Sequence, residues 1–308
     1  MILVTGASGL LGSTVLRSAL ECGRKAFGIC HTHHTTVPHV ATTRLDLTDF
    51  ESTENVISRM RPSSIIHCAA ATNVDWCEEN PEQAQRINLD AAEFLAGIAR
   101  EISASFIHIS TDSIFDGRCG NYSEADTPTP LNSYARSKLL AEQAVLRVHP
   151  SPVVVRVNFY GWRAQNKPSL AQWVVDELRG GRDVPGFTDV FFCPMLANDL
   201  AEILFVMLDR RLSGIYNVVG SERISKYEFA NRLAMLFGFD SARVIPCSVA
   251  NARLRAPRPH DTSLNTDKIS KVLGCALPNV ESGLQKFKSL SDAEHLHPSS
   301  SGFAGVNK

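Results

Sequence analysis

At 308 residues, with 44% hydrophobic and 20% charged side chains, the chain has the length of about two domains and needs no disulfide staples to close a core. Its 31 Lys and Arg against 32 Asp and Glu give a formal charge of -1, a balance that points neither to nucleic acid nor to an anionic membrane surface. No run of roughly 18 or more apolar residues exists, so no membrane span is expected. The opening Met-Ile-Leu-Val has no basic leader and its apolar run is broken by Gly6, Ser8 and Gly9, unlike a secretory signal, so the expected location is cytoplasmic. The eight cysteines form no C-x-x-C pair, which argues against a zinc site or a thiol redox motif and for reduced structural thiols.

In chain order, Ile2–Thr5 is a short apolar run entering glycines, followed by a helix over about 11–22. A second apolar run covers 25–30, and Arg44-Leu45 suits a third strand. A helix near 50–61 leads to the run 64–68, and one long helix near 81–100 leads to 105–110. The helix 133–148 then leads to Val153–Val157. Strands alternating with helices of 10 to 15 residues imply crossover units and a parallel sheet. The reading is therefore α/β, a Rossmann-type doubly wound parallel sheet over residues 1–157, with a helix at 198–209 and a strand at 214–219 rejoining it within 196–220. Pro168, Gly180-Gly181, Pro185 and Pro194 loosen the rhythm afterwards around a helix at 169–179. Residues 158–195 and 221–290 are expected to form a smaller, helix-rich C-terminal substrate lobe over the carboxyl ends of the strands, and 291–308 a mobile tail.

Three features carry chemistry. Gly6-Ala-Ser-Gly9-Leu-Leu-Gly12 follows a strand and opens a helix, so its glycines can admit a pyrophosphate to the backbone and the helix N-terminus can meet it; a tight strand-to-helix turn with no ligand also accounts for it. The spacing gives Ser8 no G-x-S-x-G context, which excludes a hydrolase elbow. Tyr134-Ala-Arg-Ser-Lys138 places a phenol and an ammonium on one helix face. Lowering a tyrosine from about 10 to about 7 needs roughly 4 kcal/mol, and a charge at about 4 Å and an effective dielectric of about 20 supplies that much. A solvated helix face is the plainer alternative. Ile109-Ser-Thr-Asp112 closes a strand at the crevice end of the sheet, where Thr111 can bond a substrate oxygen or merely cap the strand.

In this order and context, these elements resemble the extended short-chain dehydrogenase/reductase superfamily, and within it the dTDP-4-dehydrorhamnose reductase branch. The stretches that carry the likeness are ILVTGASGLLG (2–12), DLTD (46–49), IIHCAAATNVDWCEENPEQAQRIN (65–88), ISTDSIFDG (109–117), YSEADTPTPLNSYARSKLLAE (122–142) and RPHDTSLNTDK (258–268), so it spans about residues 1–285. The resemblance implies that Tyr134 is the proton donor, Lys138 the lysine that lowers its pKa and binds ribose, and Thr111 the assisting hydroxyl. It implies a pyrophosphate turn of Gly6, Ser8, Gly9, Leu10, Leu11 and Gly12, and adenine contacts from Asp46 and Leu47. Ala69, Ala70 and Ala71 match the small-residue strand end against which the cofactor lies, although helix–sheet packing also favours small residues there. His31 and Asn88 complete the expected cofactor set.

Asp112, Phe159, Trp162, Phe187 and Arg258 are candidates for the nucleotide-sugar pocket, with core packing the alternative for the aromatics. The family's usual Tyr after Thr-Asp is Ser113 here, and its Trp after the sixth strand is Phe159; both changes fall where the sugar is expected. A dehydratase would carry Glu in place of Ser113. Four histidines, His31, His33, His34 and His39, suggest metal, but without Cys or carboxylate spacing they read as a solvated loop or a contact to a cofactor 2'-phosphate, and no metal is expected. With no acid between Gly28 and His34, NADP(H) is expected to be preferred and NAD(H) usable. The implied reaction is reduction of a 4-keto group on a nucleotide-linked deoxysugar. The same branch also resembles the noncatalytic regulatory beta subunit of methionine adenosyltransferase, and an epimerase or dehydratase is a third reading. The expected partner is a nucleotide-sugar substrate, not nucleic acid or membrane, with a homodimer left open.

Overall fold

The computed structural model describes residues 1–35, 37–162, 168–252 and 254–296, with the side chains of 293–296 excepted. Seven parallel strands, β1 (Ile2–Thr5), β2 (Ala26–Cys30), β3 (Ala41–Arg44), β4 (Ser64–His67), β5 (Ser105–Thr111), β6 (Val153–Val157) and β11 (Gly214–Asn217), form one sheet in the order β3-β2-β1-β4-β5-β6-β11. The order reverses between β1 and β4, and a crevice opens there above the strand ends. Strands buried on both faces are apolar without alternation: Ile2, Leu3 and Val4 are all in the core. Helices α1 (Leu10–Glu21) and α8 (Ala197–Asp209) cover one face. On the other lie α2 (Phe50–Met60), α5 (Ala91–Glu101) and α6 (Ser133–Val148).

Local chemistry sets the helix ends. The Asp49 side chain accepts from Ser52 N at 3.1 Å to start α2, and Arg61 at φ 44° ends it. Asn132 starts α6 by accepting from Ala135 N at 2.9 Å, and its amide donates to Pro257 O at 3.0 Å, tying the helix that carries Tyr134 to the C-terminal region.

The long helix expected over 81–100 is present as one continuous helical run over 81–101, with a π-helical turn inside it. A short α3 (Val74–Glu79) precedes α4 (Pro81–Gln85), a π-helical turn spans Arg86–Asp90, and α5 follows. The helix at 197–209 and strand β11 rejoin the sheet, with Gly214 paired to Val153. The remaining elements are β7 (Phe159–Tyr160), α7 (Leu170–Arg179), β8 (Val184–Phe187), β9 (Phe191–Phe192), β10 (Met195–Leu196), β12 (Ile224–Ser225), α9 (Lys226–Phe237), β13 (Val244–Cys247), α10 (Asp267–Leu273) and α11 (Val280–Leu296). A second core gathers Val174, Leu178, Phe192, Phe229, Leu233 and Phe287 between α7, α9 and α11. Ile269 of α10 and Leu277 pack instead into the sheet's core, so part of 221–290 belongs to the first layer. Helix α11 extends past the start of the expected tail, and 297–308 lie outside the described residues. No helix among the described residues is long and apolar enough to cross a membrane.

Between sheet and α6 lies a buried ion pair. Arg156 donates from Nη2 to Glu142 Oε2 at 2.9 Å and from Nε to both oxygens at 3.2 Å, and Ser110 Oγ donates to Oε1 at 2.5 Å. Both side chains are 2–3% exposed, so neither charge can turn to water. Glu142→Ala leaves the guanidinium uncompensated and is expected to destabilise the fold by about 3–5 kcal/mol. Combining Glu142→Ala with Arg156→Met removes both charges and should recover much of that loss. Urea denaturation checks both, and a Glu142→Ala loss below about 1 kcal/mol contradicts the assignment.

Candidate functional site

The crevice is a cleft of about 660 Å³ whose wall runs from the β1 turn past the ends of β2, β4 and β5 to Tyr134, Asn158 and Phe159. At its floor, Gly6 takes φ +65°, and a Cβ there would stand 2.8 Å from the backbone of Ala69. A Cβ on Gly12 would collide with the Gly6 carbonyl oxygen. The turn therefore brings β1, β4 and α1 closer than any side chain allows. Gly9 caps α1 without a side-chain bond, and a Cβ there would meet only the Gly6 carbonyl oxygen, at 3.0 Å. Leu10, Leu11 and Gly12, the first turn of α1, line the cleft, so a phosphate there would lie at the helix N-terminus.

Gly6, Ser8, Gly9, Leu10, Leu11, Gly12, His31, Asp46, Leu47, Ala69, Ala70 and Ala71 all line this cleft, as do Thr111, Asp112, Tyr134, Lys138 and Phe159. At the β2 end, His31, Thr32 and His33 face it, and His31 Nε2 lies 3.6 Å from Asp46 Oδ2. Bonds from Thr48 N at 2.9 Å and Thr48 Oγ1 at 2.8 Å hold the Asp46 carboxyl below the usual range, the backbone bond contributing most, with His31 and Arg86 adding their charge. Among the described residues no group of three or more His, Cys, Asp or Glu is placed to hold a metal ion.

Four expected contacts fall elsewhere. Asn88, fully buried in the π-helical turn, binds the strand-end loop from behind: its Oδ1 accepts from Ala71 N at 2.8 Å, and its Nδ2 donates to Ala71 O at 3.1 Å and Ser137 Oγ at 2.9 Å. It shapes the wall without forming it. Trp162 stacks on Phe287 with centroids 4.1 Å apart and donates to the Phe287 carbonyl at 2.7 Å, which places it in the second core. Phe187 ends β8, paired with Cys247, away from the cleft wall. Arg258 is paired with Asp75 at 2.9 Å beyond the lined region.

The Tyr134–Lys138 pair also differs from its spacing argument. Lys138 is 2% exposed and directs its ammonium at Ile109 O, 2.7 Å, and His108 Nε2, 3.2 Å. Burial lowers it to about 8, with Glu142 and Cys68 pulling the other way. Burial pushes the Tyr134 phenol up to about 12, helped by the nearby Asp112 charge and opposed by a hydrogen bond with Thr111. The phenol is therefore not lowered towards 7: its burial dominates, and the ammonium directs two of its three N–H groups at the strand end. A protonated phenol is a donor, so the geometry suits an acid.

Asp112, 2% exposed, accepts from Thr262 Oγ1 at 2.6 Å and Asn158 Nδ2 at 2.7 Å, and its own burial raises its pKa. Asn158, Thr262, Cys68 and Ser169 went unread in the sequence; a polar residue straight after β6 was the available signal for Asn158. Lys226, at the start of α9, also went unread. It is half-buried and makes no side-chain hydrogen bond or ion pair among the described residues. Its pKa is lowered by burial, with the Asp112 charge opposing the shift and the Arg258 charge adding to it.

A glycine turn open to phosphate, a Thr–Tyr–Lys group beside it, and a match to the RmlD substrate binding domain over residues 1–291 decide the family. The chain belongs to the RmlD substrate binding domain family. It is a dTDP-4-dehydrorhamnose reductase-like extended short-chain dehydrogenase/reductase, with the Rossmann-like sheet of that group. It is 35% identical over 285 residues, 91% of this chain and 95% of the relative, to the probable low-salt glycan biosynthesis reductase Agl14 of Haloferax volcanii. It is 31% identical over 301 residues, 91% of this chain and 86% of the relative, to methionine adenosyltransferase 2 subunit beta of Danio rerio. Among solved structures, the dTDP-4-dehydrorhamnose reductase of Bacillus anthracis in complex with NADP superposes with a TM-score of 0.82 at 25% identity, covering 94% of this chain and 98% of that one.

Proposed function

We propose that this RmlD-family protein reduces a 4-keto group on a nucleotide-linked deoxysugar, with Tyr134 donating the proton. The observation that carries the reading is Tyr134 itself: a protonated phenol on the cleft wall, hydrogen-bonded to Thr111 and one helical turn from a buried lysine. The glycine turn fits a dinucleotide pyrophosphate, Asp46 and Leu47 its adenine end, and Ala69, Ala70 and Ala71 its flat passage along the strand ends. NAD(P)H, when bound, supplies the hydride. Lys138 binds the ribose, Thr111 orients the phenol, and Tyr134 gives its proton to the oxygen that becomes the hydroxyl. Asp112, fixed by Thr262 and Asn158, and Phe159 face the sugar. A panel of dTDP- and UDP-linked 4-keto sugars, assayed for nicotinamide oxidation, tests the reading.

Lys226 is proposed to meet the diphosphate of the nucleotide sugar from the C-terminal lobe. Lys226→Met should raise KM for that substrate roughly tenfold, the size of one charge-assisted hydrogen bond. Cofactor affinity should stay within about twofold. An unchanged KM contradicts the placement.

NADPH is the proposed preferred cofactor, with NADH usable, because no carboxylate stands in 28–34 to repel a 2'-phosphate and a family relative was solved with NADP. The NADPH-to-NADH ratio of kcat/KM should therefore exceed one at both pH 6 and pH 8. An NADH preference at both values overturns this.

The 31% identity to a methionine adenosyltransferase beta subunit supports a second reading, a cofactor-binding regulatory chain. Retained Thr111, Tyr134 and Lys138 favour catalysis.

A further inference from the structure

Behind the cleft wall a file of polar groups crosses the centre of the sheet. Thr5, His67 and His108 are register partners on β1, β4 and β5, all 0–1% exposed, in positions where an apolar core would ordinarily take Ile or Val. Thr5 Oγ1 lies 2.7 Å from His67 Nδ1 and accepts from Ala69 N at 3.3 Å. The two imidazoles stack with centroids 5.5 Å apart and planes at 29°. His108 Nε2 then meets Lys138 Nζ at 3.2 Å, while the far nitrogens, His67 Nε2 and His108 Nδ1, have no partner among the described residues. Burying such groups costs free energy unless something is gained.

An ammonium has three N–H donors and no lone pair. Ile109 O takes one and His108 Nε2 a second, which leaves one for the cleft that Lys138 lines. Because Nζ can only donate, Nε2 must accept, so the ring proton of His108 sits on Nδ1 and the ring is neutral. Burial, then the charge of Lys138, hold His108 far below its ordinary pKa, so it stays an acceptor.

We propose that His108 is a positioning residue: its Nε2 lone pair, held in place by the stacked His67, fixes the Lys138 ammonium so that the remaining N–H is left for the ribose of the nicotinamide cofactor. This rests on the reading of Lys138 as the ribose-binding lysine. An acceptor bonded to the charged form favours that form. His108 therefore keeps Lys138 charged to higher pH than burial alone would permit. The other groups facing this ammonium are Cys68 at the end of β4 and Glu142 one turn along α6, whose carboxylate is already paired with Arg156 of β6.

The test measures NADPH affinity by fluorescence from pH 6 to pH 9 for wild type, His108→Leu, His108→Gln and Lys138→Ala. In wild type, affinity should fall as pH rises through about 8, where Lys138 loses its proton. With His108→Leu the fall should begin about one pH unit lower, and affinity at pH 7.5 should drop by about fivefold or more, while His108→Gln, which can offer an oxygen near the Nε2 position, restores the wild-type limb. The same pH limb in His108→Leu and wild type overturns the proposal. If Lys138→Ala leaves NADPH affinity unchanged, the reading of the lysine fails and this inference with it; if Lys138→Ala weakens binding and His108→Leu does not, only this inference fails. Nitrogen NMR of the wild-type histidine rings decides the matter independently of how the variants fold: an unprotonated Nε2 on His108 is expected, and a protonated Nε2 overturns it.

Discussion

Tyr134→Phe is expected to lower kcat by about 1,000-fold, within the range that a positioned general acid contributes. The substitution removes one oxygen from a half-buried ring and leaves the helix around it intact, because α6 is capped by Asn132 and not by the phenol. Cofactor affinity should stay within about threefold, since Lys138 and the glycine turn are untouched. The high pKa of the phenol adds a pH signature. With Tyr134 pushed up to about 12, the proton is present across the working range, so loss of activity on the basic side should follow Lys138, near 8, and not the tyrosine. Steady-state kinetics with a 4-keto nucleotide sugar checks both parts. A kcat within about threefold of wild type removes Tyr134 from the chemistry and raises the regulatory reading.

Gly9→Val is expected to abolish cofactor binding, by roughly 100-fold or more, in a folded protein. A Cβ at Gly9 meets nothing nearer than the Gly6 carbonyl at 3.0 Å, and the backbone at φ -76° and ψ 169° is open to any residue. The contact is tight, so the turn must yield by a few tenths of an ångström, and the added methyls are expected on the cleft side, which Gly9 lines. Valine is a poorer helix cap than glycine, which costs about 0.5–1 kcal/mol and lowers Tm by a few degrees. Gly12→Ala is the contrasting case: its Cβ lands on the Gly6 carbonyl oxygen, so the turn itself must shift and the fold should suffer along with binding. Fluorescence titration with thermal melting as control separates the two. Wild-type affinity in folded Gly9→Val contradicts the pyrophosphate assignment.

The strand–helix rhythm was legible in the sequence because each parallel strand is buried on both faces and reads as an unbroken apolar run, as residues 2–4 and 153–155 do. The glycine turn was legible because Gly6 and Gly12 answer to backbone geometry that no other residue satisfies. The C-terminal lobe was not, because its pairings are non-local. Val184 of β8 pairs with Val244 of β13, and neither short run shows a period that names its partner. Trp162 illustrates the same limit: an aromatic after a strand fits a pocket or a core equally, and only the arrival of Phe287 from α11 places it in the core. The π-helical turn at 86–90 inside the expected helix was not legible, because it adds one residue to an otherwise helical pattern, and that residue turns Asn88 inward to Ala71. Spacing correctly put Tyr134 and Lys138 on one face, yet it could not show that Ile109 and His108 would claim the ammonium.

Hydride transfer from NADPH held by this RmlD-family chain to a nucleotide-linked keto sugar is tested most directly by a single-turnover experiment. NADPH-loaded protein is mixed with dTDP- or UDP-linked 4-keto sugars, and nicotinamide absorbance and sugar product are followed together. At least one sugar is expected to consume NADPH with equal formation of the 4-hydroxy product, and Tyr134→Phe is expected to slow this step by about 1,000-fold. Tight NADPH binding with no oxidation by any sugar of the panel, and no difference between wild type and Tyr134→Phe, would contradict it.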